Sequence, residues 1–177
     1  MRIAFVVGHH NKSKGAYSDS FKQQEWDFWN DVLEYLCSAN VFYHNPETQG
    51  YTNRVKETAS KLNKIDFDLV VELHFNASSN PQANGCETLY WHKSEKGKEY
   101  AKIFSECVHN HSGIKLRSNG LKPLVYPSER GYGSVYYPKA PTILIEPFFG
   151  TNSGDCQKIG TSRNMSTIIN NFITKIK

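Results

Sequence analysis

The stretch Asp68–Ser78, DLVVELHFNAS, decides how this chain is read. Leu69, Val70 and Val71 stand in a row, an apolar run too short for a helix, which is the pattern of a strand buried on both faces. It runs straight into His74. In open α/β sheets ligands gather beyond the carboxyl ends of the strands, so a histidine at that place is a candidate for chemistry. Two other segments repeat the arrangement: Arg2–Val7 leads into Gly8-His9-His10, and Thr142–Ile145 ends in Glu146.

The segments between these runs read as helices and further strands. Ser18 or Ser20 is placed to cap a helix continuing to about Cys37, with Trp29, Val32 and Leu36 at inward spacings. Glu25, four positions before Trp29, shares that apolar face and therefore needs a partner. Val41–Tyr43 reads as a short strand, and Asn53 as the cap of a helix through Leu62 that gives Val55, Ala59 and Leu62 to the core. After an Asn/Pro/Gly-rich loop, Asn76–Gly85, come a strand Cys86–Trp91 and a helix Lys96–His109. Gly113–Gly133 reads as a long loop holding one short strand at most, and Thr161–Ile176 as a closing helix. This alternation predicts an α/β fold: a twisted, mostly parallel sheet with helices on both faces, in a single domain over residues 1–177.

Composition narrows the function. Lys+Arg 21 against Asp+Glu 17 gives a net charge of +4, and the basic residues are scattered, which excludes a nucleic-acid-binding stripe. A hydrophobic share of 38% excludes a disordered chain. No run approaches the roughly 18 apolar residues of a spanning helix, and Met1–His10 lacks the features of an export signal. Cys37, Cys86, Cys107 and Cys156 form no CxxC pair, so reduced, packed thiols are expected rather than a structural zinc.

A catalytic zinc commonly has three protein ligands and a fourth position for water. His9 or His10, His74 and Glu25 offer such a set, and Glu146 is placed to move a proton. The run VGHHNKSKGA, the lone Glu25, DLVVELHFNAS and the closing TILIEPFFGTN resemble, in order, the motifs of the zinc-dependent N-acetylmuramoyl-L-alanine amidases of the Amidase_3 type. Asn53-Arg54, GCETLYW and GIKLRSNGLK add smaller agreements. The chain departs from the family pattern at Val6-Val7, where Asp-Pro is usual, at His10 and at Phe148, where Gly is usual.

The resemblance implies Zn2+ bound by His9, Glu25 and His74, with Glu146 as the catalytic carboxylate. It also implies peptidoglycan as the partner and the amide between N-acetylmuramic acid and L-alanine as the bond cut. Without an export signal, a phage or prophage endolysin is expected: made in the host cytoplasm, released to the wall, monomeric, and not inserted in the membrane. The rivals are a zinc carboxypeptidase-like hydrolase, for which Arg54, Arg117 or Arg130 would hold a terminal carboxylate, and an inactive wall-binding module. Glu87 reads either as a second active-site carboxylate or as an outward strand residue and is left unassigned, with the structural role favoured, and Glu72 reads as solvent-facing or paired. His44, His92, His109 and His111 read as surface histidines, and Trp26, Trp29, Tyr132, Tyr136 and Tyr137 as core. A bland role for Glu146 would be an ion pair with Lys139 or Arg163.

Overall fold

The computed structural model describes residues 1–36 and 39–177. In chain order its elements are β1 (Ile3–Val7), β2 (Tyr17–Ser18), β3 (Gln23–Gln24), α1 (Glu25–Leu33), β4 (Asn40–Tyr43), α2 (Tyr51–Leu62) and β5 (Leu69–Leu73). There follow β6 (Cys86–Trp91), α3 (Glu95–Ser112), β7 (Leu116–Leu124), α4 (Tyr132–Tyr136), β8 (Thr142–Glu146), α5 (Ser153–Ile159) and α6 (Ser162–Ile176). Six strands form one sheet in the order β4-β1-β5-β8-β6-β7. The first four run parallel, β6 turns antiparallel to β8, and β7 is parallel to β6. The expected single-domain, mostly parallel α/β sheet is what forms.

Alternation along the strands divides the core. Ile3, Phe5, Val7, Val71, Leu73, Ile143 and Ile145 join a large cluster with Phe28, Trp29, Phe104 and Phe172, so α1, α3 and α6 cover that face. Ala4, Val6 and Val70 face the other way onto Leu62 of α2, while Leu89 and Leu144 meet Tyr132 and Val135 of α4. Because successive side chains point to opposite faces, Glu72, Glu87 and Glu146 all lie on the α2/α4 side.

Several boundaries differ from the sequence reading. The segment expected to begin a helix at Ser18 or Ser20 is instead the β2/β3 hairpin, and α1 starts only at Glu25. Its expected end at Cys37, and the Cys37 thiol, lie outside the described residues. Asn53 lies inside α2, which begins after Gly50. The stretch 113–133 holds the nine-residue β7 rather than a short strand. Ser118, Asn119 and Gly120 there have φ of 45°, 59° and 79°, and the β6–β7 register shifts at that bulge. Pro123 is tolerated because β7 is the edge strand. The helices α4 and α5 went unrecognised. Cys86, Cys107 and Cys156 are free and buried, as expected.

Buried Asp155 fixes the chain just after Glu146. Its Oδ2 accepts from Phe149 N at 3.1 Å and from Gly85 N at 2.8 Å, tying the β8 exit to the β6 entry. Asn152 caps the same helix by accepting from Asp155 N at 2.9 Å. Removing the carboxylate strands two buried amides, each worth about 1–3 kcal/mol when unsatisfied. Asp155→Ala should therefore lose about 2–6 kcal/mol in urea unfolding; an unchanged midpoint would mean that the amides find other partners.

Candidate metal centre and catalytic cavity

The site is assembled from strand ends. Val7 is in register with Leu73, and Leu73 with Ile145, so the residues that follow emerge side by side. His9 adopts a left-handed backbone with φ 65°, a conformation retained in a non-glycine residue only where the surroundings impose it. His10 N donates to Ser13 O and Ser13 N to His10 O, turning the chain back. The returning strand then braces the start of α1: Glu25 N donates to Ala16 O and Trp26 N to Lys14 O, both at 2.9 Å. A Cβ on Gly15 would fall 2.7 Å from Glu25 Oε2, and one on Gly8 only 2.3 Å from His74 Cε1. Glycine at both places lets backbone and side chains approach this closely.

Glu25, only 3% exposed, stands between two imidazoles. Its Oε1 is 2.9 Å from His74 Nδ1 and accepts from Phe75 N at 3.1 Å. Its Oε2 is 3.1 Å from His9 Nε2. One donor atom from each of His9, Glu25 and His74 lies within 4.8 Å of the others. His9 Nε2 is buried yet makes no hydrogen bond, since it is near Glu25 Oε2 without being aligned on it. A buried nitrogen with its lone pair uncommitted, a carboxylate and a second imidazole fit the donor chemistry of a zinc ion. His10 does not join them. It lines a smaller cavity with Trp26, Tyr43 and His44.

Burial alone would raise the Glu25 carboxyl, but its bond to His74 and the nearness of His9 hold it at about 2. Burial alone would lower His74, yet Glu25 on one nitrogen and Glu72 on the other push it up to about 10. Glu72 is not solvent-facing. It is buried and paired, and its Oε1 lies 3.1 Å from His74 Nε2, accepts from Ser134 Oγ at 2.9 Å, and is 3.6 Å from His44 Nε2. Despite burial, His44 and His74 hold Glu72 far below the usual carboxylate range. His44 is accordingly a buried histidine, against its reading as a surface one, with Nδ1 2.9 Å from Thr58 Oγ1. His92 is half-buried; His109 and His111 are exposed.

Glu146 lines the same cavity as the triad, a space of about 610 Å³ that also takes in Arg54, Arg130 and Tyr132. Its nearest polar partner is Asn76 rather than Lys139 or Arg163: Asn76 Nδ2 donates to Glu146 Oε2 at 2.7 Å and to Glu87 Oε1 at 3.1 Å. Glu87 pairs with Glu146 in the β6–β8 register and is 7% exposed, so it is no outward strand residue. Burial, then the neighbouring Glu87, raise the Glu146 carboxyl to about 7. Burial also works to raise Glu87, but Glu146, Lys122 at 3.1 Å and Arg117 at 3.4 Å keep it low. The two carboxyls therefore titrate as a pair, Glu146 pushed up and Glu87 down. Among the aromatic residues read as core, Trp29 and Tyr132 are buried, Trp26 and Tyr137 half-buried, and Tyr136 is 45% exposed.

The chain belongs to the N-acetylmuramoyl-L-alanine amidase family, Amidase_3, which it matches over residues 3–177. Among individual relatives, it is 23% identical over 156 residues to the N-acetylmuramoyl-L-alanine amidase LytC of Bacillus subtilis, covering 86% of this chain and 30% of LytC. It is 29% identical over 108 residues to the protein YqiI of the same organism, covering 60% of this chain and 48% of YqiI. The chain therefore spans less than half the length of either relative. Among solved structures, the catalytic domain of the CD27L endolysin targeting Clostridia Difficile superposes with a TM-score of 0.76 at 26% identity, covering 99% of this chain and 97% of that one.

The coupling of Glu146 to Glu87 has a measurable consequence. In Glu87→Gln the negative neighbour is gone, so the midpoint of Glu146 should fall by about one unit or more toward the ordinary carboxylate range. A carbon-13 titration of the side-chain carboxyls in the metal-free protein reads it directly. An unmoved midpoint would leave burial as the sole cause.

Proposed function

We propose that this chain hydrolyses the amide between the lactyl group of N-acetylmuramic acid and L-alanine in peptidoglycan, with a zinc ion held by His9, Glu25 and His74 and with Glu146 as the catalytic carboxylate. The observation that carries this reading is the meeting, in one cavity, of a His-Glu-His donor set and a carboxyl poised near neutrality. Membership of the amidase family and likeness to an endolysin catalytic domain support cell-wall lysis as the role, with residues 1–177 as the catalytic unit.

When bound, zinc supplies Lewis-acid polarisation of the scissile carbonyl and of the attacking water. Glu146 takes a proton from that water and delivers it to the departing L-alanine nitrogen, a role suited to a group titrating near the working pH. Asn76 fixes the carboxylate by its bond to Oε2. A carboxypeptidase would need an arginine for a chain-end carboxylate; Arg117 is engaged by Glu87 and lies over the Phe149 ring, whereas Arg54 and Arg130 line the cavity, so the bond cut is what separates the two readings. A silent wall-binding module would have no use for a carboxyl held near neutrality.

Digestion of purified peptidoglycan should free new L-alanine amino termini without new reducing ends, stop with a zinc chelator and resume on adding zinc. Reducing ends, or free amino acids from the stem terminus, would overturn the assignment. His9→Ala and His74→Ala should lose bound zinc and activity together, while His10→Ala retains both; metal analysis showing the reverse for His9 and His10 would move the site by one residue.

Glu146→Gln separates binding from proton transfer. Zinc content should stay near that of the parent, while hydrolysis falls by about two to four orders of magnitude. A fully active Gln variant would remove Glu146 from the mechanism.

A further inference from the structure

Glu72 has no part in the proton transfer described above, yet it is 4% exposed and sits two residues before His74 on the same side of the sheet. We infer that Glu72 is a positioning residue for the metal site: it grips His74 Nε2–H and so presents the opposite ring nitrogen, Nδ1, to Glu25 and the ion. The inference rests on the zinc reading and goes beyond its ligand set.

The geometry is specific. The alternation that carries β5 continues into His74, so the side chains of residues 72 and 74 rise from one face and Oε1 reaches Nε2 at 3.1 Å. On the other side of the ring Nδ1 lies 2.9 Å from Glu25 Oε1, and the bare Gly8 backbone presses against Cε1. Carboxylates at both nitrogens give the ring one orientation; a metal displacing the Nδ1 proton would leave the other on Nε2, held by Glu72, so one tautomer with Nδ1 as the ligand atom would result. A carboxylate in this place also strengthens the donor nitrogen.

Glu72 is itself held from outside the metal site. Ser134 Oγ donates to Oε1 at 2.9 Å, which uses its single proton, so the Tyr51 hydroxyl 3.0 Å away donates to Ser134. His44 approaches the same oxygen and is anchored at Thr58. Tyr51 and His44 both line the catalytic cavity. The Ser134 bond and the His44 approach thus both fall on Oε1, the oxygen that meets the His74 ring.

Zinc affinity of the full chain, read by competition with a chromophoric chelator, tests the role apart from activity. Glu72→Gln should weaken zinc about tenfold and Glu72→Ala up to about a hundredfold, with the nitrogen-15 shifts of His74 in the zinc-loaded Ala variant no longer those of a single Nε2–H tautomer. Ser134→Ala loosens Glu72 without touching His74 and should show a smaller loss in the same direction, which keeps the test open if the Glu72 variants do not fold. A parent chain that takes up no zinc would overturn the zinc reading and this inference together. Zinc bound by the parent and held as tightly by folded Glu72 and Ser134 variants, with only their urea midpoints lowered, would overturn this inference alone.

Discussion

Parallel register is the constraint on which the site depends. Tyr43, Val7, Leu73 and Ile145 occupy one row across four neighbouring strands, so His44, His9, His74 and Glu146 leave the sheet at the same level, with His9 reached through one intervening glycine. No local motif holds these groups together; they are far apart in sequence and adjacent only because the hydrogen-bond ladder aligns the strand ends. A slip of one residue in β5 would turn His74 and Glu72 to the opposite face and into the cluster of Phe28 and Trp29. The apolar runs that fix the register therefore also fix the chemistry.

The second constraint is the cost of burying charge. Glu25, Glu72 and Glu87 are all nearly inaccessible, and an unpaired buried carboxylate costs several kcal/mol. Each is met by polar groups from distant parts of the chain: His9 and His74 at Glu25, His74, His44 and Ser134 at Glu72, Lys122 and Arg117 at Glu87. Such networks are weak evidence for stability, because apolar packing would serve as well. Their value is orientation, since the His74 ring and the three carboxyls are held before substrate arrives.

How much of this was legible in the sequence follows from the same physics. β1, β5 and β8 announce themselves as short apolar runs because both their faces are buried, and His9, His74 and Glu146 follow from being the first polar groups beyond them. Glu25 was legible as a carboxylate on an apolar helix face. β7 was not, because an edge strand with the sequence LRSNGLKPL has polar residues, a bulge and a proline in place of alternation. The serines at 18 and 20 misled for a related reason: their capping propensity is real, but backbone bonds to Lys14 and Ala16 fix the start of α1 at Glu25. Glu72, Glu87 and His44 could not be assigned from neighbours in sequence, since Ser134 lies 62 residues from Glu72 and Lys122 lies 35 from Glu87.

The sheet also divides the labour of the site. The four parallel strands, with the loop before α1, bring in the donor set and its support at Glu72. The strands β6 and β7, which run against the other four, contribute no metal donor, and instead set the proton affinity of Glu146 through Glu87, Lys122 and Arg117. Asn76 joins the halves: its side chain bridges Glu87 and Glu146, while its backbone accepts from Gly150 N and donates to Phe148 O. Two functions built on separate strand groups can be altered separately, so the proton affinity of Glu146 can change through β7 while the His9–Glu25–His74 geometry stays as it is. The reversal of strand direction at β8 is what makes this possible, because Glu87, at the start of β6, then lies opposite Glu146 at the end of β8.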